Sequence, residues 1–435
     1  MNIQKSGVNL LLVMESAVLI LALVIALLSG AKGAIRDNTG DIEDTQIAGG
    51  SETEDSSDVS SEEGTSSEDI GTEPDAGRWY VPEGYVDVRV TFSAAVEQKL
   101  SQMTTEQKVA QLFVVTPEAL TGYDKVTAFG NASKQALNKY QVGGLVYNTL
   151  NFQNKDQVIG LTGKAKDYAL QQFGIPLLTA IEEEGGANGS PLATTIALDR
   201  ISSASELGNQ GLAAVEQATK VRAEYVKQYG FNTLLATIGD VSPALDTAYR
   251  LRTYGTDANL VASMITADVK ATKAAGIWSA LKYFPGKASA TANGAGVLAS
   301  SATMAELSQG SLITYQSGID AGADMVMIGN VIVESITGDA NIPCSLSNKA
   351  VGLLRESMGF TGVIITESFA DNAFVAAYGA EKACVEALQA GVDMIYMPAD
   401  FVAAYNAVLE AVNNGTISAD RLNNAVGRVL TAKGM

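Results

Sequence analysis

Residues 79–435 predict an α/β fold, a (β/α)₈ barrel of the TIM type. Three observations carry that expectation. Eight short apolar runs rich in Val, Ile and Leu recur along the chain, most of them closed by glycine or a polar residue, as strands buried on both faces should be. Helical stretches lie between most of them. The first run leads into Val115-Thr116-Pro117-Glu118, which lacks the glycine-rich phosphate turn that an open doubly wound sheet would carry there. Eight alternations of strand and helix fit a closed barrel with insertions, and the open sheet is the alternative.

The runs, in order, are 110–115, 144–147, 176–181, 233–238, 279–283, 324–328, 362–366 and 393–397. The clearest helical stretches are 206–229, 258–275, 304–318 and 376–390. In such a barrel the chemistry sits just after the C-terminal ends of the strands. Those positions hold Glu182-Glu183-Glu184-Gly185-Gly186, Asp240, Lys282-Tyr283-Phe284-Pro285-Gly286, Asn330 and Glu367-Ser368. Carboxylates, a lysine and a tyrosine thus converge on one rim, suited to a polyhydroxylated ligand. Asp240 is expected to cap a loop.

Two segments precede the barrel. Residues 8–31 are apolar apart from Asn9 and Glu15, long enough for a membrane-crossing helix of about 20 residues. A cleavable signal peptide ending near Ser29-Gly30-Ala31 is the rival, and the charged stretch that follows favours an uncleaved anchor. No cysteine follows the apolar run to accept a lipid. Lys5 on one side and Lys32 and Arg36 on the other give little guidance on orientation. Between Asp37 and Gly77 lie fourteen Asp or Glu residues and no Lys or Arg, so most of the chain's net charge of −19 sits there. That stretch has too little apolar surface to offset the entropy of ordering, and its self-repelling charge should extend it. The expected domains are therefore a membrane anchor or signal segment at 1–36, a disordered acidic linker at 37–78 and the barrel at 79–435.

Composition excludes several chemistries. The chain has no histidine, hence no imidazole acid or base, no Ser-His or Cys-His pair and no histidine metal ligand. Two cysteines, Cys344 and Cys384, are too few for a disulfide framework or a zinc site. They read as buried thiols, with a single bridge as the other option. No basic cluster points to nucleic acid, and nothing calls for a cofactor or a metal.

Six short motifs in sequence order resemble glycoside hydrolase family 3, in its single-barrel β-N-acetylglucosaminidase branch. Leu100-Ser101-Gln102-Met103-Thr104, with residues 108–111, resembles the family's opening helix. Gly143-Gly144-Leu145 with Asn151 resembles its second strand and loop. Gly230-Phe231-Asn232 with Asp240-Val241 resembles the fourth-strand motif. Arg252-Thr253-Tyr254-Gly255 stands where the family has Arg-Ser-Phe-Gly, and Lys282 with Phe284-Pro285-Gly286 stands in its Lys-His-Phe-Pro-Gly-His-Gly. The segment 359–366 resembles the approach to the nucleophile, followed by Ala390-Gly391-Val392-Asp393-Met394.

The resemblance implies retaining hydrolysis of terminal β-N-acetylglucosaminyl bonds, yet the residues that perform it differ. Glu367 stands at the nucleophile aspartate. Asn293-Gly294-Ala295 stands at the Asp-Ser-His acid/base element, so the degenerate positions are Asn293 and Ala295. Tyr283 replaces a sugar-binding histidine, Lys287 a second histidine, and Glu182 an aspartate that holds a sugar hydroxyl. A positioned acid/base is worth about 10²–10⁴ in rate, and a shift of about 1 Å at the reacting centre costs about 10². The expectation is a catalytically impaired member whose rim residues Glu182, Arg252, Lys282 and Tyr283 bind a glycan or peptidoglycan fragment, or an envelope protein partner. The alternative is a rebuilt hydrolase with Glu367 as nucleophile and Glu183 or Glu184 as proton donor. Arg252 and Lys282 serve either to recognise hydroxyls or to neutralise Glu182 and Glu367; Tyr254 and Tyr283 either stack on a sugar or cap the barrel. The family's identity places the barrel outside the cytoplasm, membrane-anchored, or secreted if the leader is cleaved.

Overall fold

The computed structural model describes residues 78–187, 189–196, 198–242 and 247–435. The segments 1–36 and 37–77 lie outside them, so the anchor and linker expectations do too. Among the described residues no helix is long and apolar enough to cross a membrane.

Eight parallel strands form the barrel: β1 (Phe113–Val115), β2 (Gly144–Tyr147), β3 (Leu178–Ile181), β4 (Thr233–Ile238), β5 (Trp278–Phe284), β8 (Met325–Ile328), β10 (Val363–Thr366) and β11 (Ile395–Tyr396). They are hydrogen-bonded in the order β10-β8-β5-β4-β3-β2-β1-β11, and a parallel bridge between Ile365 and Met394 joins the two ends. Every run marked in the sequence overlaps one of these strands, and β5 extends one residue beyond its run at each end. The first strand starts later than its run because Ala110 and Gln111 end the helix Thr105–Gln111.

Alternation along the strands divides the core into two layers. Val114, Val146, Leu178, Ala180, Ile238, Ala280, Met327 and Ile365 belong to one buried cluster, joined by Val429 from the C-terminal helix Ala419–Ala432. Their neighbours Phe113, Val115, Ile181 and Ile364 belong to a second cluster shared with the surrounding helices. Inward residues fill the barrel and outward ones bind the helical ring, which is why the runs are apolar without interruption.

Three helices read as continuous are broken by glycine, one of them 376–390, where Asn372–Tyr378 gives way to Ala380–Ala390 at Gly379. The stretch 206–229 divides into Ala204–Gln210 and Leu212–Gln228 at Gly211, whose φ is 93°. The stretch 304–318 divides into Met304–Gln309 and Ser311–Asp320 at Gly310. A small second sheet was not foreseen. In it β6 (Thr291–Ala292) pairs antiparallel with β7 (Leu298–Ser300), and β7 pairs parallel with β9 (Ile332–Val333).

Residues before the first helix pack across the end of the barrel where the strands begin. Asp87 pairs with Arg421 at 2.7 Å and Arg428 at 2.8 Å, and Arg428 also reaches Asp393 at 2.9 Å. Asn424 donates to Val88 O and accepts from Val90 N, both at 2.9 Å. Both cysteines are free and buried, each thiol pushed up to about 12 by burial.

Candidate active site

Three consecutive glutamates follow β3, and the loop turns each one a different way. Gly185 and Gly186 have φ of 103° and 71°, values that glycine reaches without a Cβ penalty. A Cβ on Gly185 would lie 2.6 Å from Ser202 O. Glu182 accepts from Lys282 Nζ at 3.0 Å and from Tyr396 Oη at 2.7 Å. Glu183 turns into the core, where it accepts from Leu192 N at 2.9 Å, Ala193 N at 3.3 Å and Tyr225 Oη at 3.1 Å. Burial raises its pKa despite these donors. Glu184 takes both cations of the rim. Arg252 Nε and Nη2 bind its two oxygens at 2.8 and 2.7 Å, and Lys282 Nζ lies 2.7 Å from Oε1. Burial opposes its charge, but Lys282 and Arg252 outweigh it and hold the carboxyl down at about 2.

Lys282, at the C-terminal end of β5, is fully buried. Desolvation disfavours its charge, yet Glu182 and Glu184 more than offset that and raise its pKa. Arg252 is also raised by Glu184 against desolvation. Tyr283 is buried and forms a hydrogen bond of 3.2 Å with Arg252 Nη2. Its ring is flanked by cations: Lys287 Nζ is 3.5 Å from the centroid, Lys282 5.2 Å and Arg252 5.8 Å. Tyr254 is buried and donates to Asp268 Oδ2 at 2.8 Å. Both tyrosines therefore serve ionic networks of the rim.

Glu367 follows β10. Its Oε1 is bonded to Lys287 Nζ, and its Oε2 accepts from Asn330 N at 2.9 Å. Asp240, after β4, accepts from Lys287 N at 2.8 Å and Tyr315 Oη at 2.9 Å, and burial raises its pKa. It is a loop cap, as expected from the sequence. The Asn293-Gly294-Ala295 segment forms the tip of the β6–β7 hairpin. Asn293 Oδ1 accepts from Ala295 N at 2.9 Å and Val297 N at 3.1 Å, and Asn293 N donates to Val297 O at 2.8 Å. Asn293 and Ala295 are exposed.

Two cavities open near these groups. A cleft of about 610 Å³ is lined by Glu182, Glu184, Arg252, Tyr396, Asn148 and Thr149, with apolar wall from Val146, Ile238 and Met397. A second cavity, of about 410 Å³, is lined by Glu367, Asn330, Ser368, Phe374 and the hairpin residues 296–298.

The structure brings Glu182, Arg252, Lys282 and Tyr283 together at one rim. The expected Lys282–Glu182 pair is present, but Arg252 binds Glu184, Lys282 binds Glu184 as well, and Glu367 has Lys287 instead. Three adjacent glutamates look equivalent in sequence, and only the loop geometry separates them. Neither Glu183 nor Glu184 is placed as a proton donor, one being tied to backbone amides in the core and the other ionised between two cations. Tyr396 and Lys287 were not foreseen as site residues. Tyr396 ends a strand, the position that barrel chemistry favours, and Lys287 stood out only as a replaced histidine.

Comparison with known proteins places these features in a lineage. Residues 104–432 match the sequence profile described as "Glycosyl hydrolase family 3 N terminal domain". Beta-hexosaminidase A of Pseudoalteromonas piscicida is 26% identical over 372 residues, covering 76% of this chain and 61% of the relative. Beta-hexosaminidase LpqI of Mycobacterium tuberculosis is 25% identical over 343 residues, covering 76% and 83%. The solved family 3 β-N-acetylglucosaminidase from Paenibacillus sp. FPU-7 superimposes with a TM-score of 0.69 at 26% identity, covering 76% of this chain and 62% of that one. The chain thus spans about three fifths of the first and third of these proteins.

Proposed function

The chain belongs to glycosyl hydrolase family 3, and from that premise we propose that its barrel binds a glycan ending in N-acetylglucosamine without hydrolysing it. The ligand class follows from the printed activities of the relatives, a β-hexosaminidase and a β-N-acetylglucosaminidase. The observation that carries the loss of turnover is the state of the two catalytic positions. A retaining glycosidase needs a nucleophilic carboxylate and, about 5–5.5 Å away, a carboxyl group that gives and takes a proton. Glu367 is occupied by Lys287 and Asn330 N. Asn293 carries an amide, folded into a hairpin turn.

The binding face is the larger cleft. Glu182 offers hydroxyl acceptors there beside Lys282 and Tyr396, and Arg252 offers donors beside Glu184. The cleft also has apolar wall for a sugar face, as small-ligand sites usually do. A second reading, an active hydrolase with a rebuilt acid/base, draws support from the carboxylate that remains at position 367. Titration of chitooligosaccharides or peptidoglycan fragments into the chain, with product analysis, separates the two. Saturable binding lost in R252A, with no product, supports the binder; product formation lost in E367Q supports the enzyme. Absence of any response supports a protein-interaction domain that acts away from the rim.

We further read residues 8–31 as a membrane anchor and 37–77 as a charged stalk that displays the barrel outside the cytoplasm. Fractionation of cells and protease accessibility of the barrel test that placement.

A further inference from the structure

Two cavities open at the mouth of the barrel, with Tyr283 and Lys287 linking the residues that line them. On one side, the larger cleft reaches Arg252, whose Nη2 bonds to Tyr283 Oη at 3.2 Å. On the other, Glu367 lines the separate cavity with Asn330, Ser368 and Phe374. Lys287 stands between them, against Glu367 on one side and on the other against the Tyr283 ring, which in turn meets Arg252. Its ammonium lies 3.5 Å from the centroid of the Tyr283 ring and bonds to Glu367 Oε1. Its backbone is fixed by the 2.8 Å hydrogen bond from Lys287 N to Asp240 Oδ2, and its side chain is only 11% exposed. This lysine is held at both ends, by a buried carboxylate at its backbone and by Glu367 and an aromatic face at its tip.

We propose that Lys287 is a built-in cationic stopper, which occupies the place beside Glu367 and confines any ligand of the larger cleft to the Glu182–Arg252 side. The inference rests on the reading of that cleft as a glycan site. Its physical basis is charge as well as volume. In retaining hydrolysis the sugar acquires oxocarbenium-like positive charge facing the nucleophilic carboxylate. Here a fixed ammonium already faces that carboxylate, so a reacting sugar would bring a second positive charge to one negative group. A ligand advancing from the cleft must also detach the ammonium from Glu367 and from the Tyr283 ring, which binds cations through its quadrupole. Lys287 thereby sets the depth of the cleft: sugar rings bind at its entrance and stop short of position 367.

The test is isothermal titration of N-acetylglucosamine into the wild-type chain, K287A, K287M and the K287A/E367Q double variant. K287A should bind at least tenfold more tightly than wild type, because the opened passage presents the freed Glu367 carboxylate to sugar hydroxyls. The gain should vanish in K287A/E367Q. K287M keeps the aliphatic stem and removes the charge, so it should gain at least threefold and provides the answer should K287A fail to fold. Wild-type binding that neither Lys287 variant tightens overturns the stopper and leaves the cleft reading intact. No binding by any variant overturns the cleft reading, and the stopper with it.

Discussion

Arg252 and Glu184 meet through two hydrogen bonds of 2.8 and 2.7 Å, and the fully buried Lys282 lies 2.7 Å from the same carboxylate. One glutamate therefore neutralises two retained cations, and Glu182 shares the second of them. The two cations are compensated inside the rim itself, independently of Glu367. Retention of Arg252 and Lys282 is thus compatible with loss of the reaction.

That arrangement gives stability a defined pH dependence. Glu184 is held at about 2 by Lys282 and Arg252, below its ordinary 4.5. A carboxyl depressed in the folded state stabilises it above the unfolded pKa, and the contribution is lost as pH falls towards the folded one. Glu183 and Asp240 are raised by burial and act in the opposite sense, so the comparison must be with a variant. Urea denaturation of wild type and E184Q should show the wild-type advantage shrinking between about pH 4.5 and pH 2. An advantage constant over that window would disprove the assignment.

Lys433 gives the complementary case at alkaline pH. It is buried, donating to Gln111 Oε1 at 2.8 Å and Gly143 O at 2.7 Å, and desolvation lowers its pKa to about 7. Between about pH 7 and 10.5 the unfolded chain binds the extra proton, so stability rises with pH across that interval. Measured against K433M by denaturant unfolding, the wild type should gain stability from pH 7 to pH 10. An unchanged difference would place the ammonium in a better solvated site.

Asp87 faces Arg421 and Arg428 inside a buried cluster. Removing one partner of such a cluster leaves buried charge uncompensated, at a cost of about 3–5 kcal/mol. D87A should therefore lower unfolding stability by that order, and E410A, on a helix of the outer ring, should not. Equal stability of D87A and wild type would show that the segment before the barrel is not part of the folded unit.

The tip of the β6–β7 hairpin is tied by Asn293 Oδ1, which accepts from Ala295 N and Val297 N. N293A should raise amide hydrogen exchange in residues 291–300 while leaving the barrel strands protected. Unchanged exchange would mean that the β6–β7 pairing sets the loop without the side chain.

The barrel was legible in the sequence because strands such as Met325–Ile328 and Val363–Thr366 are buried on both faces, and double burial writes an unbroken apolar run. The hairpin was not, since Thr291–Ala292 is exposed and only two residues long. The positions of Glu182, Lys282 and Glu367 at one rim followed from strand order, and Arg252 joined them only through the family resemblance. Their pairing did not follow from either, because the loop before Gly185 and Gly186 sends Glu183 into the core and leaves Glu182 and Glu184 to share Lys282. Lys287 illustrates the same limit: in sequence it stands out only through the family resemblance, and its contacts with Tyr283 and Glu367 are visible only in the fold.

Under the proposed function this rim binds a sugar without cleaving it. The most direct test is product analysis on the full chain saturated with chitotriose, with binding followed in the same sample. A sugar-binding rim without turnover gives saturable binding and no release of N-acetylglucosamine. Release of N-acetylglucosamine that E367Q abolishes would contradict it.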